Sequence, residues 1–146
     1  MNKTKLKTSL FIVSSFLIPA IMMFFIYLSQ GIYWNSDTSP LLGDGYHQYV
    51  IFDTTLRNIL HGADSLFYSF QSGLGINFYA LSSYYLGSFF SPLVYFFNAQ
   101  SMPDAVYLIT LLKFGAIGLS TYISLHGMFS KIPRSLFLTL STSFAL

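Results

Sequence analysis

The chain has 146 residues, of which 53% are hydrophobic, 19% aromatic and only 8% charged, and its net charge is +2. Because soluble domains carry roughly 25% charged residues, this composition argues against a water-soluble globule. The chain has no cysteine, which excludes disulfide frameworks, thiolate zinc sites and cysteine nucleophiles.

The N-terminal segment predicts a membrane-spanning helix. Three lysines lie within residues 1–9, and residues 10–28 then carry no charge, close to the roughly 20 residues that cross a bilayer core. Pro19 lies inside this run, where membrane helices tolerate a kink. A cleaved signal peptide has an apolar run of about 7–15 residues. The run here is longer, so we favour an uncleaved membrane anchor. The lysines predict a cytoplasmic N-terminus, with the next loop outside.

Residues 29–103 are predicted to form one large external loop, which holds Asp and His residues among turn-forming segments. Within it, apolar residues recur at helical spacing and predict an amphipathic helix over residues 46–60 that lies at the membrane surface. Its polar face carries Gln48, Thr55, Asn58 and His61. Residues 78–97 carry no charge and are rich in aromatic side chains. They could cross the membrane or lie along it, as surface-lying or re-entrant helices do.

A second span is predicted over residues 104–129. Lys131 and Arg134 border the short segment 130–134, and the positive-inside rule places this segment in the cytoplasm if 104–129 crosses and 78–97 does not. We favour that topology over the one in which both cross. Residues 135–146 then start a third membrane helix, too short as it stands to span. The sequence therefore predicts the N-terminal part of a longer, all-α, multi-pass protein of the cell membrane.

The first candidate for a catalytic residue is Asp44. It lies between Gly43 and Gly45, at the start of the predicted surface helix. A carboxylate there could act as a general base that activates a hydroxyl group. The alternative is a helix N-cap, in which Asp accepts backbone N–H bonds and is favoured by the helix dipole. The two roles are compatible.

Other polar residues allow a functional and a structural interpretation. Asp53 and Arg57 are spaced for a surface ion pair, although Arg57 could instead bind a substrate phosphate. Lys113, inside an apolar span, is a functional candidate or a side chain that snorkels to the interface. Tyr84 and Tyr85 suit interfacial anchors or a platform for a sugar.

Metal and nucleotide sites are not predicted. His47 and His61 have a spacing unlike that of compact metal-ligand motifs, and the glycine turn "SGLGIN" lacks the strand and the Lys-Ser/Thr of a phosphate loop. We expect no cofactor, while a divalent metal stays open.

Three segments, in this order, resemble the beginning of the YfhO family of bacterial polytopic membrane proteins. They are "GDGYHQYVIFDTTLRNILHG", "YSFQSGLGINFYALSSYYLGSFFSPLVYF" and "LLKFGAIGLSTYISL". The resemblance covers most of residues 8–146 and is sharpest at 43–97. Family members are several times longer than this chain.

The resemblance implies a membrane glycosyltransferase of the GT-C fold. Its donor would be a sugar on a polyprenyl phosphate held in the lipid bilayer, and its acceptor a cell-envelope polymer such as teichoic acid, with no nucleic-acid partner. Asp44 matches the acidic catalytic residue of the first external loop, as general base, and Asp53 is the second choice. The candidate substrate-binding residues are His47, Gln48, Arg57, Tyr84, Tyr85 and Lys113.

The sequence is also compatible with two other functions. One is a transporter or flippase of lipid-linked substrates, which predicts polar residues and broken helices at the membrane midplane. The other is a small non-catalytic membrane anchor protein. The acids cluster in the external loop rather than in the spans, which favours the enzyme. The 146-residue piece alone is expected to be inactive.

Overall fold

The structure is a computed structural model that describes residues 3–41, 43, 45–71, 74–129 and 131–146. These residues form helices and no strand, apart from an isolated antiparallel bridge between Ser69 and Ile76. The all-α fold class is thereby confirmed. The helices are α1 (Lys3–Ser29), a π-helical turn (Gly45–Tyr49), α2 (Val50–Leu60), α3 (Phe78–Tyr85), two 3₁₀ helices (Ser91–Phe96 and Ala99–Ser101), α4 (Met102–Met128) and α5 (Arg134–Ala145).

The chain divides into two compact units. We call Met1–Gln30 with Thr110–Leu146 the bundle unit, and Gly31–Ile109 the loop unit. The boundary between them falls within α4.

Two helical segments of the described chain are long and apolar enough to cross a membrane, Leu6–Ser29 and Ala99–Met128. Leu6–Ser29 exposes large apolar side chains such as Leu10, Val13 and Phe25, as a helix surrounded by lipid does. Residues 78–97 are divided between α3 and the 3₁₀ helix Ser91–Phe96. Neither of these pieces is long enough to span a bilayer. The membrane topology itself stays a prediction.

The bundle unit brings α1 and α4 very close at Gly118. Pro19 has no N–H, so the Ser15 carbonyl lacks its usual helical donor four residues on. A Cβ added to Gly118 would lie 2.4 Å from that carbonyl oxygen and 2.6 Å from Cγ of Pro19. Only a hydrogen fits in this space, so a Cα–H of Gly118 faces the oxygen that Pro19 leaves free.

In the loop unit, α2 packs between two apolar clusters. One is built on Val94, Met102, Ala105 and Ile109, and the other on Phe52, Phe78 and Leu86. Leu56 of α2 packs against both clusters. Helix α2 is therefore held by tertiary contacts on more than one face.

The predicted surface helix over 46–60 differs from the observed one in two respects. Its first turn, Gly45–Tyr49, is π-helical, and the α-helix begins only at Val50. Thr55, on the face predicted to be polar and exposed, is 2% exposed, and Asp53 is 6% exposed. The helical period was right, but the sequence pattern does not reveal that other parts of the loop unit cover this face.

The start of α4 holds the segment that precedes α2. Asp104, in the first turn of α4, accepts a hydrogen bond from the backbone N–H of Asn35 at 2.8 Å. Asn35 has a positive φ of 58°, which Asn tolerates better than most residues. The ring of Trp34 lies 6.0 Å from that of Phe97. The Asp104 carboxylate and the Trp34–Phe97 contact thus both hold this corner of the loop unit.

We expect Asp104→Ala to loosen this corner. A hydrogen bond to a charged acceptor contributes about 1.5 kcal/mol or more, so exchange of the Asn35 amide should become about tenfold faster. Hydrogen exchange read by mass spectrometry on a peptide around Asn35 measures this. Asp64→Ala is the matched control, because the Asp64 carboxylate accepts from the adjacent Ser65 N–H in an exposed turn. Unchanged exchange at Asn35 in Asp104→Ala would contradict the proposed anchor.

Candidate functional site

A cavity of about 160 Å³ lies beside α2 in the loop unit. Five of its lining residues come from α2 at positions 50, 51, 54, 55 and 58, a spacing that puts them on one side of a helix. The sixth, Gln71, comes from a distant part of the sequence. The lining residues are Val50, Ile51, Thr54, Thr55, Asn58 and Gln71.

The two threonines of the cavity have their hydroxyl protons committed to the helix backbone. Oγ1 of Thr54 donates to the carbonyl of Val50 at 2.7 Å, and Oγ1 of Thr55 donates to that of Ile51 at 2.9 Å. A hydroxyl has one proton and two lone pairs. Towards a ligand, these two groups therefore act as acceptors.

Sequence neighbours position the Asn58 amide and the backbone of Gln71 through polar contacts. Oδ1 of Asn58 accepts from Nη1 of Arg57 at 3.1 Å, which assigns the oxygen side of this amide. Gln71 lies in sequence between Ser69 and Ile76, whose bridge has two backbone hydrogen bonds of 2.9 Å each. The backbone N–H of Gln71 donates to Oγ of Ser69 at 3.2 Å.

Asp53 lies on the same helix and is almost fully buried. A carboxylate at this depth requires polar or charged partners, because burial without them is costly, and Asp53 does interact with another group. The sequence predicted a surface ion pair with Arg57. The observed burial makes Asp53 an interior group instead, and it stays the second candidate for acid–base chemistry.

Arg57 is half-buried and ties α2 to the chain that follows the 3₁₀ helix Ser91–Phe96. Its Nε donates to the backbone carbonyl of Phe97, and its Nη1 to Asn58. One turn further on, Nδ1 of His61 lies 2.8 Å from the carbonyl of Arg57, and the His61 ring stacks on Tyr95 at 4.3 Å. Both residues thus have structural contacts.

Three of the predicted residues precede α2 in the sequence. Asp44 lies outside the described residues. His47 is exposed and Gln48 half-buried on the π-helical turn, and the backbone N–H of His47 donates to the carbonyl of Gly43 at 3.1 Å. The π-helical turn is a distortion that often occurs at functional sites.

The remaining predicted residues lie apart from the cavity lining. Tyr84 is 82% exposed, whereas the half-buried ring of Tyr85 packs 5.0 Å from that of Phe52 and 5.5 Å from that of Tyr49. Tyr85 is thus a packing residue of α3 against α2. Lys113 is exposed on the part of α4 that belongs to the bundle unit.

Sequence reasoning missed the cavity itself. The sequence predicts Thr55 and Asn58 only as residues of the polar face, and it gives no role to Thr54 or Gln71. The available signal was a pair of threonines one turn before Asn58 on a helix, but nothing local points to Gln71. Within the described part of the chain, no three His, Asp or Glu residues are grouped so as to hold a metal ion.

Comparison with known families decides the identity of the chain. The family described as bacterial membrane protein YfhO matches residues 14–146. The chain belongs to the YfhO family. The resemblance seen in the sequence motifs is thereby confirmed. No curated protein and no solved structure matches the chain. Family membership and the two apolar helices together identify a membrane protein.

Proposed function

We propose that this YfhO protein is the N-terminal part of a membrane glycosyltransferase that acts on the external face of the cell membrane. It would transfer a sugar from a polyprenyl-phosphate donor to a cell-envelope polymer such as teichoic acid. The observation that carries the proposal is the placement of a polar cavity and a buried carboxylate, Asp53, on α2. This helix follows Asp44 closely in the sequence, in a protein with two apolar, span-length helices.

The layout suits a lipid-linked donor. Such a donor keeps its chain in the bilayer, and its phosphate and sugar lie at or above the interface. The loop unit connects the first apolar helix to the second along the sequence. A polar cavity in this connecting region is available to the sugar while the lipid stays in the membrane.

The proposed reaction is a single displacement at the anomeric carbon. An acceptor hydroxyl attacks this carbon, and its proton passes to the carboxylate of Asp44. The bond between the anomeric carbon and the donor phosphate oxygen breaks, and the lipid phosphate leaves as an anion. A cation, Arg57 or Lys113, compensates the charge of the leaving phosphate. Positioned proton transfer of this kind contributes about 10²–10⁴-fold to a rate.

Asp44→Asn is expected to abolish the sugar substituents of the envelope polymer. Asn keeps the size and the capping ability of Asp but cannot accept the proton, so transfer should fall by about 100-fold or more. The intact gene, wild type or variant, is expressed in a strain that lacks it, and the envelope polymers are analysed by mass spectrometry. Protein level and membrane insertion are measured in parallel.

The controls separate the candidate bases from one another. Asp37→Asn removes an exposed carboxylate of the same loop unit and should leave transfer unchanged. If Asp53→Asn abolishes transfer and Asp44→Asn does not, the base is Asp53. If all three variants retain the sugar, the glycosyltransferase mechanism proposed here is wrong, and the transporter function becomes the one to test.

A further inference from the structure

The cavity beside α2 is large enough to hold a six-membered ring. Its volume is about 160 Å³, and an engineered apolar cavity of about 150 Å³ is known to bind benzene. Four of its six lining residues are polar here, so a purely apolar ring is a poor match.

The lining residues match the groups of a sugar ring. The threonine hydroxyls, whose protons bond to the carbonyls of Val50 and Ile51, can accept hydrogen bonds. The side-chain amides of Asn58 and Gln71 supply N–H donors as well as oxygen acceptors. A sugar hydroxyl both donates and accepts, so it can use both kinds of partner. The side chains of Val50 and Ile51 give the cavity an apolar side for the C–H groups of a ring.

The described lining residues lack the charged groups that an anionic ligand needs. None of the six described lining residues is charged, whereas sites for phosphate or carboxylate rely on Arg, Lys or clustered backbone N–H groups. The nearest cation in sequence, Arg57, directs Nε to the Phe97 carbonyl and Nη1 to Asn58. A lipid phosphate or a charged polymer unit is therefore a poor fit for this cavity.

We infer that the cavity binds the ring of a neutral sugar, and that Thr54 and Gln71 form hydrogen bonds with its hydroxyl groups. This inference rests on the proposed function for the statement that the bound ring is the one transferred. Binding itself requires no transfer, so it can be measured separately.

The test measures binding of free methyl glycosides to the full-length protein in lipid nanodiscs by saturation-transfer NMR. The probes are the methyl glycosides of glucose, galactose and N-acetylglucosamine, with glycerol 3-phosphate as an anionic competitor. The variants are Thr54→Val, which removes the hydroxyl at nearly constant shape, and Gln71→Leu. Each should weaken binding of the preferred glycoside about fivefold, since each removes about one neutral hydrogen bond. Thr54→Ser, which keeps the hydroxyl, should bind about as tightly as the wild type.

Two controls match the substitutions outside the cavity. Thr139→Val removes a hydroxyl that donates to the backbone carbonyl of Ser135 on an exposed part of α5. Gln100→Leu removes an exposed amide elsewhere in the loop unit. Both should leave glycoside binding unchanged, which shows that loss of a hydroxyl or an amide elsewhere in the chain does not itself weaken binding.

The outcomes separate this inference from the proposed function. If no glycoside binds, if Thr54→Val and Gln71→Leu both bind like the wild type, or if glycerol 3-phosphate displaces the glycoside, the inference is overturned. Asp44→Asn is expected to keep glycoside binding. Loss of transfer in Asp44→Asn without any glycoside binding overturns the cavity assignment and leaves the function standing. If glycoside binding depends on Gln71 but all of the Asp variants transfer sugar fully, the proposed mechanism is overturned and the cavity assignment stands.

Discussion

Gly118→Ala is expected to destabilise the bundle unit by more than about 3 kcal/mol, beyond the usual cost of overpacking. The new Cβ would meet the Ser15 carbonyl oxygen at 2.4 Å and Cγ of Pro19 at 2.6 Å. Real Cβ atoms do not approach other heavy atoms this closely, so α1 and α4 would have to separate. Neither neighbour can yield by a rotamer change, because one is backbone and the other is a proline ring.

Separation would also remove the close approach of Gly118 to a carbonyl that Pro19 deprives of its helical donor. An unsatisfied backbone group in lipid costs several kcal/mol. This adds to the steric cost if α1 lies in the membrane as predicted. Close approach at a small residue is the usual way in which membrane helices associate.

Two other glycines of α4 provide a graded comparison. A Cβ at Gly115 would meet the ring of Phe16 at 2.8 Å, and this ring is the far end of a side chain that can move. A Cβ at Gly127 meets nothing within 4 Å, so Gly127→Ala should be neutral or stabilise the helix by up to about 1 kcal/mol. Gly115→Ala should fall between the two.

The stabilities of the three variants are ranked by thermal unfolding of the full-length protein in detergent. Size-exclusion chromatography measures the folded protein that remains at each temperature. Protein level in membranes gives an independent reading. Equal midpoints for Gly118→Ala and Gly127→Ala would show that the close approach of α1 and α4 does not contribute to stability.

The long helices could be predicted from the sequence because their signal is local. A charge-free run of membrane length needs no tertiary information, and α1 and α4 occur where residues 10–28 and 104–129 had suggested them. The interruption of residues 78–97 also has a local cause, since Gly87 and Ser88 follow the end of α3 and Pro92 lies in the first turn of the next 3₁₀ helix. Whether each helix crosses a membrane is a separate question that the charge pattern alone addresses.

The features that depend on distant residues could not be predicted. The cavity needs Gln71 to reach the α2 face that carries Thr54 and Asn58, and periodicity contains no information on that meeting. The burial of Asp53 likewise depends on what packs against α2, so a spacing typical of a surface ion pair was misleading. In the bundle unit, the fit of Gly118 against Ser15 brings together two residues that are far apart in the sequence.

The role of Arg57 is the point at which the sequence and the structure suggest different chemistry. The sequence offers it as a phosphate ligand, while the structure has it donate to the carbonyl of Phe97 and to Asn58. A guanidinium has five N–H donors, so these two bonds do not by themselves exhaust its capacity. A stability measurement can separate the two roles.

We expect Arg57→Ala to destabilise the loop unit by about 2–3 kcal/mol. It removes a charge-assisted hydrogen bond, leaves the Phe97 carbonyl without that donor, and removes the apolar stem of a half-buried side chain. Arg57→Lys should be nearly as damaging, because an ammonium group cannot reproduce the fork that bridges Phe97 and Asn58. The effect is measured by hydrogen exchange of the peptide that contains Phe97 and by thermal unfolding. The control is Lys131→Ala, which changes an exposed side chain.

The pair of variants distinguishes a tether from a phosphate ligand. If Arg57 only holds α2 to residue 97, both variants lose stability, and sugar transfer falls in proportion to the folded protein that remains. If Arg57 meets the donor phosphate, Arg57→Lys retains stability and part of the transfer, since a lysine still supplies the charge. Normal exchange around Phe97 in Arg57→Ala would contradict the tether. Arg57 would then have to be placed with Lys113 among the cations available to the leaving phosphate.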